Sequence, residues 1–121
     1  MNQGNAHQFA VELAKIAHDN KTDDLVVFDL RGLSPVTDFT VIGTGTSDRQ
    51  MRAVTDCVIE YGKKVGQRPY GVAGYDGGTW ILLDYVDVVM HMFGRPYREY
   101  YDLELLWGDA PRVPWARSET A

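Results

Sequence analysis

Residues 80–93 read WILLDYVDVVMHMF, an apolar run interrupted only by Asp84, Asp87 and His91. How the chain accommodates these three polar groups restricts its fold more than any other segment does. They could form a metal or acid–base site, the turn of a hairpin, or part of a docking surface. In a single strand Asp87 and His91 point to the same face, but their backbones stand about 13 Å apart at ~3.3 Å per residue. Donors on one zinc must each approach to about 2.0–2.2 Å, so the two cannot easily converge, and Asp84 lies farther still. A hairpin accommodates them better. With Tyr85-Val86 as the central turn residues, Asp84 stands opposite Asp87, Leu82 opposite Val89 and Trp80 opposite His91. The other face pairs Leu83 with Val88 and Ile81 with Met90, and being wholly apolar it reads as core. Facing carboxylates repel by up to the order of 1 kcal/mol, but at a turn they are screened by water or can bond nearby amides. A partner's Lys or Arg between them is the functional alternative.

The rest of the chain supplies the elements around this hairpin. Phe9, Leu13 and Ile16, with Ala6, Ala10 and Ala17 beside them, predict an amphipathic helix over roughly residues 5–20. LVVFDL (25–30) and FTVIGTG (39–45) read as strands, the second apolar on both faces and therefore covered on both. Ser47 can cap a helix, with Gln50 completing a capping box, and that helix runs to about Lys64 and buries Met51, Val54, Val58, Tyr61 and Val65. A short strand is expected within 69–73, and Pro96 suits the first turn of another helix. Asp102 can cap a further helical turn carrying Leu103, Leu106 and Trp107, with Gly108 as its stop. The order α-β-β-α-β-β-β-α has one helical crossover, hence a mixed sheet with at least one parallel pair among antiparallel neighbours. The fold class is α/β (α+β): one domain over residues 1–112 with a mixed, mainly five-stranded sheet and flanking helices, then a flexible, Pro-rich tail over 113–121.

Charge narrows the partners. Residues 76–109 hold seven acids (Asp76, Asp84, Asp87, Glu99, Asp102, Glu104, Asp109) against Arg95 and Arg98, which accounts for the whole chain's net charge of −5. The plain reading is solubility. The sharper one is a section that faces a basic partner, such as a protein that itself binds RNA. Direct sequence-specific nucleic-acid binding is not expected there, because phosphate affinity depends on Lys and Arg. No stretch reaches the ~20 apolar residues of a membrane span, and MNQGNAHQF lacks the form of a secretory signal, so a cytoplasmic, unanchored protein is expected. With Cys57 as the single cysteine no internal disulfide can form, and its place near the apolar stripe of a helix suggests core.

Catalysis finds little support. His91 has no nucleophile and orienting group near it in sequence. VIGTGTSDRQ places a turn, Gly43–Ser47, before a helix N-terminus, where backbone amides can hold phosphate, and it resembles the Gly-Ser turn of nucleotidyltransferases. Those enzymes also need paired carboxylates on the next strand for magnesium, and RPYGVAGY supplies none before Asp76. No catalytic residue, metal or cofactor is expected; nucleotide binding or a nucleotidyltransferase-like activity at Gly43–Ser47 is the alternative.

Taken together, DFTVIGTGTSDRQ (38–50), WILLDYVDVVMHMF (80–93) and REYYDLELLWGDA (98–110) resemble the ribosome silencing factor, or Iojap-like, family over about residues 5–112. Val86 departs from it, since members often carry Gly there, and a β-branched residue resists positive φ. The resemblance implies a nucleotidyltransferase-like fold without known catalysis. It further implies docking on large-subunit ribosomal protein number fourteen, steric block of subunit joining, lower translation when nutrients are scarce, and homodimers. On this view Trp80, Leu82, Tyr85 and His91 form the contact surface, Asp84 and Asp87 pair with basic side chains, and Tyr101 and Trp107 extend the patch.

Overall fold

A computed structural model of the chain describes residues 1–101 and 106–116, including the side chains of all of these except 99–101. Helix α1 spans Gln3–Asp19; the Asn2 side chain accepts from the Asn5 amide at its start, and Asn20 closes it. Its alanines permit close approach, and Ala6, Phe9, Ala10, Leu13 and Ala17 are all buried. Strands β1 (Asp23–Asp29) and β2 (Phe39–Gly45) follow, then α2 (Asp48–Lys64). Ser47 caps α2 by accepting from the Gln50 amide at 3.0 Å. The reciprocal arm is displaced by one residue: the Gln50 side chain accepts from Thr46 N, while its own amide donates to Asn20 O and Thr22 Oγ1. One side chain thus ties the start of α2 to the end of α1. Tyr61 is only half-buried and Val65 is exposed, so the apolar stripe of α2 ends a turn earlier than its spacing suggested.

Strands β3 (Gly71–Ala73), β4 (Trp80–Asp84) and β5 (Val88–Gly94) complete a five-stranded sheet in the order β1-β2-β5-β4-β3. Only β2 and β5 are parallel, joined by the crossover through α2; every other pair is antiparallel. This is the mixed sheet that the single helical connection requires. Both long helices pack on one face, where Val27, Phe39, Val41, Ile81, Leu83, Val88, Met90 and Met92 are buried with the apolar faces of α1 and α2. Helix α3 (Arg95–Tyr101) begins directly after β5. The further turn expected from Asp102 lies largely outside the described residues.

Two expectations about the backbone need correction. The hairpin register is shifted by two residues: Asp84 pairs with Val89, Leu82 with His91 and Trp80 with Phe93. The central turn residues are Val86 and Asp87, with Tyr85 N donating to Val88 O at 2.9 Å. Val86 takes φ 71°, the conformation a β-branched residue resists. Two contacts offset that strain: Asp84 Oδ1 accepts from Val86 N at 2.7 Å, and the Tyr85 ring buries edge-on against Phe9. A shift of two residues leaves every side chain on its face, so the apolar pattern could not detect it.

The second correction concerns the segment from residue 113, expected as a flexible tail. Its described part is docked. Asp29 N donates to Pro111 O and Val113 N to Val27 O, both at 2.8 Å, so residues 111–113 lie along the outer edge of β1. Val113 is buried, and Trp115 packs on His18. The preceding residues turn onto the sheet face opposite the helices, where Ala110 and Trp107 cover Val26, Phe28, Leu30, Ile42 and Phe93. The described C-terminal residues therefore shield the β1 edge and half of the outer face. Cys57, expected in the core, is exposed.

Candidate functional site

The outer face of β4 and β5 is the other half, and its residues stay partly exposed. From Trp80 to Met90 the side chains alternate strictly outside the turn. Ile81, Leu83, Val88 and Met90 are buried toward the helices, whereas Trp80, Leu82, Asp84 and Val89 stay half-exposed. The pairing register puts Leu82 between Ala73 and His91, and Asp84 between Gly71 and Val89. Trp80, Leu82, Val89 and His91 thus make an apolar and aromatic patch with one carboxylate at its edge.

Aromatic contacts hold this patch rigid. Trp80 lies 4.9 Å from the Phe93 ring, and His91 stacks on Phe93 with 6° between planes. Trp80 Nε1 donates to His91 Nδ1 at 3.1 Å, which requires an unprotonated Nδ1 and fixes the proton of the neutral ring on Nε2. Burial pushes the His91 pKa down to about 4 from 6.5, with the Asp84 carboxylate opposing it in part. The folded value lies below the unfolded one, so the folded chain binds fewer protons in that interval. Stability is complete above pH 6.5 and falls as pH drops toward 4, by up to about 3 kcal/mol. His91→Asn keeps an acceptor for the indole and removes the titration. Urea unfolding of both proteins at several pH values should show wild type losing stability relative to this variant below pH 6.5; parallel pH profiles would refute the linkage.

The other expected contact residues are divided. Tyr85 belongs to the core, not the surface: it is 5% exposed, its pKa is raised to about 12 by burial, and its ring sits 4.8 Å from Phe9. Asp87 does not face Asp84. Its carboxylate lies 3.2 Å from the Met1 amino nitrogen, and its carbonyl accepts from Asp38 N and Phe39 N. Trp107 is half-buried on the inner end of the patch. The Tyr101 side chain lies outside the described residues. Val89 lies on this face as expected, although it pairs with Asp84 rather than Leu82, whereas Phe93 was missed. Its parity with His91 was visible, but Phe93 meets Trp80 only in the shifted register.

The Gly43–Ser47 turn is occupied by its own structure. A Cβ at Gly43 would crowd Thr22 and Leu25, and one at Gly45 would overlap Met51, so both glycines serve packing. Thr46 N is taken by Gln50, and Asp48 places a carboxylate in the first turn of α2, where an anion would otherwise profit from the helix dipole. A cavity of about 320 Å³ lies beside it, lined in part by Gly78, Arg95 and Tyr97, and Arg95 is ion-paired with Asp23. Among the described residues no group of three or more His, Cys, Asp or Glu is placed to hold a metal ion, and no helix is long and apolar enough to cross a membrane.

Comparison with known proteins points in one direction. The family described as "Ribosomal silencing factor during starvation" matches residues 3–121. A ribosomal silencing factor of Bacillus subtilis is 37% identical over 98 residues, covering 81% of this chain and 83% of that one. One from Haemophilus influenzae is 42% identical over 87 residues, covering 72% and 85%. A crystal structure from Chromobacterium violaceum superposes with a TM-score of 0.79 at 30% identity, over 99% of this chain and 97% of that one.

Proposed function

Because the chain belongs to the ribosomal silencing factor family, we propose that it represses translation by occupancy: it docks on the large ribosomal subunit and blocks the small one sterically. The docking partner in this proposal is large-subunit ribosomal protein number fourteen, contacted through Trp80, Leu82, Asp84 and His91. Tyr101 stays in the contact set, Tyr85 supports it from below, and Asp87 acts at its rim. One observation carries the reading. The outer face of β4 and β5 stays half-exposed although it is apolar and aromatic, while the same chain covers the neighbouring half of that sheet face with Trp107 and Ala110. Apolar area of this kind, edged by the Asp84 carboxylate, favours association with a basic protein surface. A cytoplasmic protein that needs no cofactor or metal, acts without catalysis when nutrients are scarce and can pair as a homodimer completes the proposal.

A sucrose gradient of cell extract tests it. The protein should travel with free large subunits and be absent from joined ribosomes. Sedimentation at the top of the gradient, or with joined ribosomes, would refute docking by occlusion.

A further inference from the structure

We propose that the turn end of the sheet carries a second contact area, an apolar rim seated on the same basic protein as the outer face of β4 and β5. This inference rests on the docking role proposed above. Eight large apolar or aromatic side chains are exposed among the described residues, and four of them, Leu33, Val36, Tyr70 and Val86, gather at one end of the sheet. The pairing brings them there. Asp29 pairs with Phe39, Phe39 with Val88, Val89 with Asp84 and Asp84 with Gly71, so these residues lie across a single end of all five strands. Leu33 and Val36 lie in the loop between β1 and β2, Val86 at the β4–β5 turn, and Tyr70 directly before β3.

The rim is ordered by its own hydrogen bonds. Leu33 N and Ser34 N both donate to Leu30 O at 2.9 Å, and Ser34 Oγ accepts from Val36 N and Thr37 N. Asp38 N and Phe39 N both donate to Asp87 O, which stitches the β1–β2 loop to the hairpin turn. Asp84 joins the other two members, accepting from Val86 N through its carboxylate and from Tyr70 N through its carbonyl, both at 2.7 Å. Surface held this way loses little freedom on binding. Val86 adds a separate sign: it is half-exposed at φ 71°, so its strain secures no burial of its own side chain.

Charge selects the occupant. Asp38 and Asp84 stand among the apolar tips, the Asp87 carboxylate is paired with the Met1 amino group, and the arginine of the loop, Arg31, is held by Asp29 through two side-chain hydrogen bonds. A phosphate backbone would be repelled, and a second copy of this rim would bring like charges together. A basic protein surface with aliphatic side chains fits. Asp84 belongs to both areas, so the rim continues the outer face rather than forming a separate site.

The test uses the full chain and purified large ribosomal subunits in a pelleting titration, with thermal unfolding to verify each fold. The double variant Leu33→Lys/Val36→Lys should bind at least tenfold more weakly than wild type. Leu82→Arg, measured beside it, reports on the outer face. If Leu82→Arg loses binding while the loop variant binds as wild type, the rim is overturned and the docking role stands. If Leu82→Arg also binds as wild type, both the outer face and the rim are overturned, and if wild type itself does not pellet with large subunits, the docking role fails. In a Cys57→Ser background, benzophenone attached to Val36→Cys and to Leu82→Cys should crosslink to the same ribosomal protein. Crosslinking from position 36 to ribosomal RNA, to a second copy of this chain or to a different protein would overturn the assignment.

Discussion

Leu82→Arg should abolish measurable association with large ribosomal subunits while leaving the protein folded. Leu82 sits at the middle of the exposed face, between Ala73 and His91, and its side chain is half-exposed. Core packing therefore loses little when it is replaced, because the methyl groups that fill the interior come from Ile81 and Leu83 on the opposite side. A docked partner would instead meet a guanidinium with basic groups facing it, and the neighbouring Asp84 carboxylate, already bonded to Val86 N, would be drawn away from the partner's basic groups. Truncating a central interface residue costs about 2 kcal/mol or more, and a misplaced charge adds its desolvation, so at least a 20-fold loss of affinity is expected. Pelleting with purified subunits measures the loss, and thermal unfolding within a few degrees of wild type verifies the fold. A folded variant that still pellets at wild-type levels would remove the β4–β5 face from the functional assignment. Trp80 is a poorer choice for this test, since it packs on Phe93 and its loss would disturb the sheet as well as the surface.

Gly74→Val should have the largest effect on stability. Gly74 lies at φ 77° in the loop between β3 and β4, and a Cβ there would overlap the carbonyl oxygen of Trp80. Two costs coincide: a backbone conformation that a β-branched residue resists, and a steric conflict with main chain that cannot rotate away. The loss expected is about 3 kcal/mol or more, which for a domain of this size lowers the melting temperature by on the order of 10 °C. The variant would also displace Trp80, so subunit binding should weaken even at temperatures where it remains folded. An unchanged melting temperature would show that the loop relaxes freely and that Gly74 does not position the patch. Gly78 is a close comparison: a Cβ there meets the end of the Asp48 side chain, which can move, so Gly78→Ala should cost less.

Much of this architecture was legible in the order of residues. Strand β2 matches the apolar run 39–45 because it is covered on both faces, and α2 begins at the Ser47 cap and ends at Lys64. The division of β4 and β5 into a buried and an exposed face followed from alternation alone, and it brings Trp80, Leu82, Asp84 and His91 to one side. The same alternation concealed the register, because pairings two residues apart have the same parity. Tyr85 shares its parity with Ile81 and Leu83, yet its expected place in the turn made it read as surface. Its burial depends on Phe9, which comes from a helix 76 positions earlier. Asp87 was set opposite Asp84 by the Tyr85-Val86 turn, whereas its carboxylate meets the Met1 amino group.

Local pattern, then, determined the elements, their order, the single crossover and the sides of the hairpin, since backbone periodicity and capping act within a few residues. Three matters were decided only by the tertiary structure: the hairpin register, the docking of residues 111–113 along β1, and the packing of Trp107 and Ala110 on the β1 side of the outer face. Each depends on a contact between distant segments. An extended, Pro-rich stretch has no partner of its own and acquires one only where an open strand edge offers its amides and carbonyls.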